Sequence, residues 1–316
     1  MAEEFDPSVE YEQKGYLNCD FRLFHIDENK AIDTPWHYHD FDKIVFFLRG
    51  DVRYAVEGRE YELRPYDIVI VPHHSIHKVT ASKEEGYERY VLYLKPETLV
   101  RLGSTEEVTI HEGKKLSGNS KDHDLGLCFD MTSKTRTNLI HFDAGITSEL
   151  LEKFRTLEEV IKSEEQLYCA GLRIHVELIQ LLIGLNEACY KNPDSFMEKA
   201  RYNRKVIDII DYITQHLGDD LSIDRISDKF YISKYHMMRI FKAETGYSVH
   251  QYIMEKRILK ARDLIISGEP AMTAAIEAGF RDYSSFCKAF RKASLCPGKY
   301  SSILFSKNSF VMVFIT

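Results

Sequence analysis

Two stretches near the C-terminal end follow one pattern, and an internal repeat of this kind leaves few folds open. The first holds Ile223-Asp224-Arg225-Ile226-Ser227-Asp228-Lys229-Phe230, then Ser233-Lys234-Tyr235-His236-Met237-Met238-Arg239-Ile240-Phe241-Lys242, then Gly246 and Tyr252. The second holds Ala274-Ala275-Ile276-Glu277-Ala278-Gly279-Phe280, then Asp282-Tyr283-Ser284-Ser285-Phe286-Cys287-Lys288-Ala289-Phe290-Arg291-Lys292, then Pro297 and Tyr300. With Phe241 set on Phe290, Ser233 falls on Asp282, Met237 on Phe286, Arg239 on Lys288 and Lys242 on Arg291. Ser233 and Asp282 are expected N-caps, whose side-chain oxygens accept the free backbone N–H groups of a new helix. Met237 and Phe241, like Phe286 and Phe290, lie four apart, so each pair buries one face of its helix. Lys234, Tyr235, Met238 and Arg239 then face outward on one helix, and Tyr283, Ser284, Cys287 and Lys288 on the other. Such faces suit the base edges and phosphates of a DNA major groove.

Between the copies, Ser248 to Ile266 reads as one helix, with Ile253, Arg257, Ala261 and Leu264–Ile265 at helical spacing. Its nineteen residues span about 28 Å at ~1.5 Å each. With the flanking turns, two reading helices would approach the roughly 34 Å between successive major grooves on one face of B-DNA. The net charge of −7 divides by region: residues 204–305 carry 16 Lys and Arg against 12 Asp and Glu, whereas residues 1–203 carry 25 against 37. A mildly basic end on an acidic body places the phosphate contacts in the C-terminal third.

The Ser-x-x-x-Met-x-Arg-x-Phe-Lys run, the Gly246…Tyr252 turn, the Ala-Gly-Phe-x-Asp-x-Ser-Ser-Phe run and the Pro297-x-x-Tyr300 ending resemble the arabinose-regulator (AraC/XylS) family of transcription regulators. The resemblance covers about 210–301. It implies a double helix-turn-helix that binds promoter DNA and commonly activates transcription, with RNA polymerase as a further expected partner. The base-contacting positions carry over to Tyr235, Met238 and Arg239 and to Tyr283, Ser284, Cys287 and Lys288. The full candidate DNA-binding set adds Ser233, Lys234, Lys242 and Arg291. The second copy departs from the first: nine residues separate Phe290 from Tyr300 where ten separate Phe241 from Tyr252, and Ser294 or Leu295 stands at the glycine position. A turn without its αL-tolerant glycine is expected to be strained or rebuilt. Most sequence reading is therefore expected from Ser233–Lys242, with 282–292 adding mainly phosphate grip.

Residues 36–94 read as β. Val52, Tyr54 and Val56 alternate with Arg53, Ala55 and Glu57, and Gly50-Asp51 and Glu57-Gly58-Arg59 supply turns. Ile68–Val71 and Tyr90–Leu94 read as short strands buried on both faces. Trp36-His37-Tyr38-His39, with His77 following Pro72-His73-His74-Ser75-Ile76, resembles the two motifs of the cupin barrel over about 20–95. Metal-binding cupins join such histidines to a glutamate, and the spacing to Gly50 puts that glutamate at position 43, where this chain has Lys43. A cation there repels a metal and removes a donor. Three histidines, alone or with Asp42, remain a possible metal set. The other readings are a pocket of Trp36, His37, His39, Lys43, Tyr54 and His77 suited to a polyol, sugar or carboxylate, or hydrogen-bonded structural histidines in a barrel mouth.

From about Thr147 the period changes. Leu150, Leu151, Phe154, Leu157, Val160 and Ile161, then Leu172, Val176, Ile179, Leu182 and Ile183, recur at three- and four-residue steps, predicting two amphipathic helices that pack on the β domain, form a dimer seam, or both. The expected organisation is α+β and multidomain: a cupin-like effector barrel at 1–146, a helical packing and dimerisation segment at 147–190, a linker at 191–203, the double helix-turn-helix at 204–302 and an apolar tail at 303–316. Six scattered cysteines without a Cys-x-x-Cys pair, and an acidic start without an apolar run, point to a reduced cytoplasm; 303–315 is too short to span a bilayer. No nucleophile elbow, phosphate loop or dinucleotide fingerprint occurs. The expectation is a homodimeric regulator, not an enzyme, with no cofactor and no resident metal. It binds promoter DNA and a sugar-like effector, whose signal would pass through the helices at 147–190. The alternative is a metal-dependent cupin enzyme of sugar isomerase or dioxygenase type.

Overall fold

The computed structural model describes residue 17 and residues 19–103, 108–110, 114–116, 124–196, 200–294, 303–305 and 312–314, with the chain course alone at 108–110, 114–116, 292–294, 303–305 and 312–314. Eight strands open the chain: β1 (Phe21–Glu28), β2 (Ile32–Asp33), β3 (Asp42–Gly50), β4 (Val52–Val56), β5 (Arg59–Glu62), β6 (Ile68–Val71), β7 (His77–Ala81) and β8 (Tyr87–Leu94). After α1 (Pro96–Gly103) come β9 (Val108–Ile110), β10 (Lys114–Leu116), α2 (Leu127–Thr135), β11 (Leu139–Ile140), α3 (Ala144–Lys162), α4 (Ala170–Lys191) and β12 (Arg201–Tyr202). Two five-stranded sheets result, in the orders β1-β8-β3-β6-β11 and β12-β5-β4-β7-β2, antiparallel at every pair.

The apolar runs of β3, β6 and β8 are explained by burial of both faces of the first sheet. Val45, Phe47, Val69, Val71, Val91 and Tyr93 point into the space between the sheets, where Tyr54, Val56 and Tyr61 meet them from the second sheet. Their neighbours Ile44, Phe46, Ile68, Ile70, Tyr90 and Leu92 point the other way, onto Leu150, Phe154 and Leu157 of α3 and Leu178, Leu182 and Leu185 of α4. The period-2 alternation is thus present but masked by hydrophobicity on both sides. Asp143 caps α3 through the N–H groups of Gly145 and Ile146.

The segment at 191–203, expected to be a linker, ends in β12, which adds to the second sheet with Arg201 opposite Glu60 and Tyr202 opposite Arg59. Then come α5 (Arg204–Gln215), α6 (Ile223–Lys229), α7 (Lys234–Thr245), α8 (Val249–Ile266), α9 (Ala271–Glu277) and α10 (Tyr283–Ser294) around one apolar core. The end of the chain holds a two-stranded ladder of β13 (Ile303–Phe305) and β14 (Met312–Phe314). The turn expected to differ in the second repeat, with Leu295, Pro297 and Tyr300, lies outside the described residues. No helix among the described residues is long and apolar enough to cross a membrane.

Phe154 is 1% exposed and stacks on both Phe46 and Tyr90. Phe154→Ala is expected to cost about 3–5 kcal/mol in urea unfolding, the range for an aromatic removed from a packed core. A cost below ~1 kcal/mol would show that α3 does not seal the sheet.

Candidate functional site

The candidate reading face is assembled by capping and burial. Ser233 accepts from His236 N at 3.3 Å and starts α7; Gly246, at φ 73°, closes it in the left-handed conformation. Met237 and Phe241 are fully buried. Lys234, Tyr235, Met238, Arg239 and Lys242 are all exposed on the other side, Tyr235 at 76%. Lys234 is ion-paired with Asp224 of α6, and Arg239 meets His236 Nδ1 at 3.2 Å.

The second face is built alike but presents less. Asp282 accepts from Ser285 N at 2.8 Å, and Phe286 and Phe290 are buried. Ser284, Lys288 and Arg291 are exposed, whereas Cys287 is half-buried and Tyr283 leans on Phe286 with ring centroids 5.7 Å apart. Ser248 and Gln251 form a capping box at the start of the long α8 between the two faces.

In the barrel, His37, His39 and His77 come together, their ring centroids 4.3–5.0 Å apart. Tyr54 stacks near His77, and Lys43 Nζ lies 5.8 Å from the Tyr54 ring and 5.6 Å from that of Tyr93. Tyr93 and Phe41, which joins by stacking on His39, were not singled out in the sequence. Burial, with lesser contributions from Lys43 and His37, pushes the proton affinity of His39 and His77 well below the usual imidazole range. Both rings are therefore neutral at pH 7. His77 Nδ1 meets Ser75 O at 2.9 Å, while His77 Nε2 and both ring nitrogens of His39 make no hydrogen bond among the described residues.

One nitrogen from each ring could converge on an ion, since these atoms lie within 4.8 Å of one another. The rest of the donor set does not fit a resident metal. Lys43 brings a positive charge where a carboxylate would be needed, and Asp42 is already taken by the backbone N–H and Nδ1 of His73, both at 2.8 Å. Neutral imidazoles beside an ammonium instead suit hydroxyl groups or a carboxylate.

Trp36 was expected in this pocket, but the structure places it elsewhere. Its indole packs on Gly246, at the end of α7, so closely that a Cβ there would lie 2.2 Å from Trp36 Cδ1. The cause is strand-like alternation: His37 and His39 turn into the barrel, while Trp36, Tyr38 and Asp40 turn toward the helical unit. Tyr38 Oη donates to Glu255 Oε2 at 2.7 Å, and Arg262 donates to Asp40 Oδ2 at 3.0 Å. From the β4–β5 turn, Glu57 accepts from Tyr252 Oη and from Lys256 Nζ, both at 2.6 Å, and from Ile76 N at 2.9 Å. Lys256 also donates to His74 O at 2.8 Å. None of these contacts was read from the sequence, where only the 36-38-40 against 37-39 alternation carried a hint.

Glu57 and Lys256 side chains are 15% and 14% exposed. Glu57→Gln, which removes the charge from two short bonds, is expected to cost about 1.5–3 kcal/mol of full-chain stability by urea unfolding; an unchanged midpoint would contradict the docking. The depressed imidazoles give a pH dependence. The unfolded chain, with ordinary histidines near pH 6.5, takes protons before the folded one, so their contribution is complete above about pH 6.5 and is lost as pH falls below it. Thermal unfolding from pH 8 to pH 5 should show this fall, and His77→Asn should flatten it.

Residues 23–154 match the AraC-like ligand binding domain family, and residues 226–301 match a helix-turn-helix domain family. The RhaS transcriptional activator of Escherichia coli is 23% identical over 82% of this chain and 84% of its own length. An uncharacterized helix-turn-helix regulator of Staphylococcus aureus is 22% identical over 78% of this chain, which spans only 29% of that protein. Among solved structures, ToxT of Vibrio cholerae with bound unsaturated fatty acid aligns over 87% of this chain and 92% of its own, at 13% identity and a TM-score of 0.35. Carrying an AraC-like ligand-binding barrel followed by a repeated helix-turn-helix, the chain belongs to the AraC/XylS family of DNA-binding transcription regulators.

Proposed function

We propose that this regulator reads promoter DNA chiefly through α7, and that a small molecule in the barrel controls how α7 and α10 are held. The observation that carries the reading is the exposed face of Lys234, Tyr235, Met238, Arg239 and Lys242 above the buried Met237 and Phe241, with the barrel docked on α8 and Gly246. Arg239 is the candidate for a guanine edge and Lys242 for a phosphate. The half-buried Tyr283 and Cys287 support a lesser reading role for α10. At 18 residues, α8 is about 27 Å long and sets the two faces for adjacent major-groove segments.

The effector is a sugar-like molecule, held by His37, His39 and His77 with Lys43 and Tyr54. The helices at 147–190 are the route expected from the sequence for its signal; the docked segment 36–40 supports a shorter one. His37 and His39 alternate along one segment with Trp36, Tyr38 and Asp40, so a ligand that moves the imidazoles also moves the contacts to α8. It acts by binding the docked and released forms unequally. Leu172, Val176, Ile183 and Tyr190 leave an exposed apolar stripe along α4, which supports a homodimer seam. The protein works in the cytoplasm, catalyses no reaction, and meets RNA polymerase at the promoter.

Arg239→Ala is expected to weaken specific binding by about 1–3 kcal/mol and to relax preference at one base pair, as read by competition of site variants. Lys242→Ala should weaken all sequences alike and lower the salt slope by about one. Unchanged operator affinity and preference in Arg239→Ala would show that α7 is not the reading helix.

A further inference from the structure

A second meeting place of barrel and helical unit lies away from the histidines. A cavity of about 260 Å³ opens where β12 pairs with β5 and α5 begins. Arg59 and Arg136 line it from the barrel side and Arg204 from the first turn of α5, with Asp208 as the one acid among the lining residues. Arg59 is only 9% exposed, and its side chain makes no hydrogen bond or ion pair among the described residues. Its charge acts on the Tyr61 hydroxyl, which is engaged with Asn138 N at 3.0 Å. Arg136 holds a left-handed backbone, φ 57°, and sits 3.4 Å from Asp211 of α5. Arg204 also has no partner among the described residues.

A guanidinium has five donors and no acceptor, and those of Arg59, taken by no protein acceptor among the described residues, are left to whatever fills the cavity. Against Asp208 in the lining and Asp211 beside Arg136, the three guanidiniums still leave the cavity net positive, and their planar forks match the paired oxygens of a phosphate or carboxylate. The volume lies just below the ~300–1,000 Å³ of pockets for larger organic ligands, so the occupant is small. We infer that this cavity binds a small phosphate- or carboxylate-bearing anion, gripped by Arg59 and Arg136 of the barrel and Arg204 of the helical unit. Because the grip spans both units, the anion favours the docked arrangement over the released one. This site does not depend on which bases α7 reads or on what enters the histidine cluster.

The test uses the full chain in a phosphate-free buffer at fixed ionic strength. Inorganic phosphate, glucose 6-phosphate and citrate are each titrated by calorimetry and thermal unfolding; the comparison tells free phosphate from a phosphorylated sugar or an organic acid. At least one should bind with a stoichiometry of one and raise the melting temperature. Arg59→Gln and the exposed Arg204→Gln should each weaken that binding on the order of tenfold or more, as loss of a charge-assisted fork does. Arg53→Gln, on the same sheet but outside the cavity, should leave it unchanged. Without anion, Arg59→Gln should melt no lower than the natural chain, because an uncompensated charge has been removed. Failure of all three anions to bind at millimolar concentration, or equal binding by Arg204→Gln and the natural chain, would overturn the proposal.

Discussion

Glu57 sits at the tip of a β-hairpin with its two oxygens taken by Tyr252, Lys256 and the backbone of Ile76. That carboxylate is where the barrel and the helical unit become one object. It holds α8, the helix that lies between α7 and α10 in the chain. The turn is of the kind a two-residue hairpin favours, but glutamate is not the residue it favours there. Glu57 and Gly58 have φ of 47° and 77°, a turn that favours asparagine followed by glycine. His74, whose carbonyl receives Lys256, is also left-handed at φ 64°. A glutamate in that conformation costs on the order of 1–2 kcal/mol, and its two bonds across the interface, with the one from Ile76 N inside the barrel, offset that cost. Gly58 lets the tip approach α5, where a Cβ would already lie 3.3 Å from Ile210 Cδ1.

Strain at the docking contact bears on control. An interface held by a few strong polar bonds over strained backbone is easier to release than one sealed by a wide apolar face. The contacts grouped around residues 36–40, 57 and 74–76 are mainly of the first kind, with Trp36 on Gly246 and Tyr38 and Ile76 against the helical core as the apolar part. The same segments carry His37, His39 and His77 on their other side. Histidine cluster and docking contact are thus two faces of one short piece of chain, so the proposed control needs no long relay between them.

The C-terminal unit was the most legible part of the sequence, because its chemistry is local. Ser233, Asp282 and Gly246 act on backbone within a few residues of themselves, and the four-residue spacing of Met237 with Phe241 fixes which face is left exposed. The barrel was legible as alternating strands and a histidine cluster. The linker was not: Arg201 and Tyr202 have no strand signal of their own and pair with β5 because that edge is open. Trp36 was misplaced since an aromatic beside two histidines fits a pocket equally well, and only the partner, Gly246, lying 210 residues away, decides its direction. The contacts of Glu57 with Tyr252 and Lys256, and of Asp40 with Arg262, went unseen for the same reason: a polar contact between distant segments leaves no periodic mark.

In the proposed mode of DNA binding, α7 and α10 are two readers of unequal weight set one groove apart by α8. The most direct test is selection of bound DNA from a random pool with the natural full-length chain, followed by sequencing. The account predicts enrichment of a two-part site whose halves lie about 10–10.5 base pairs apart, one half strongly defined and the other weakly. A pool that shows no enriched sequence, or a single half with no second element at that spacing, would contradict it.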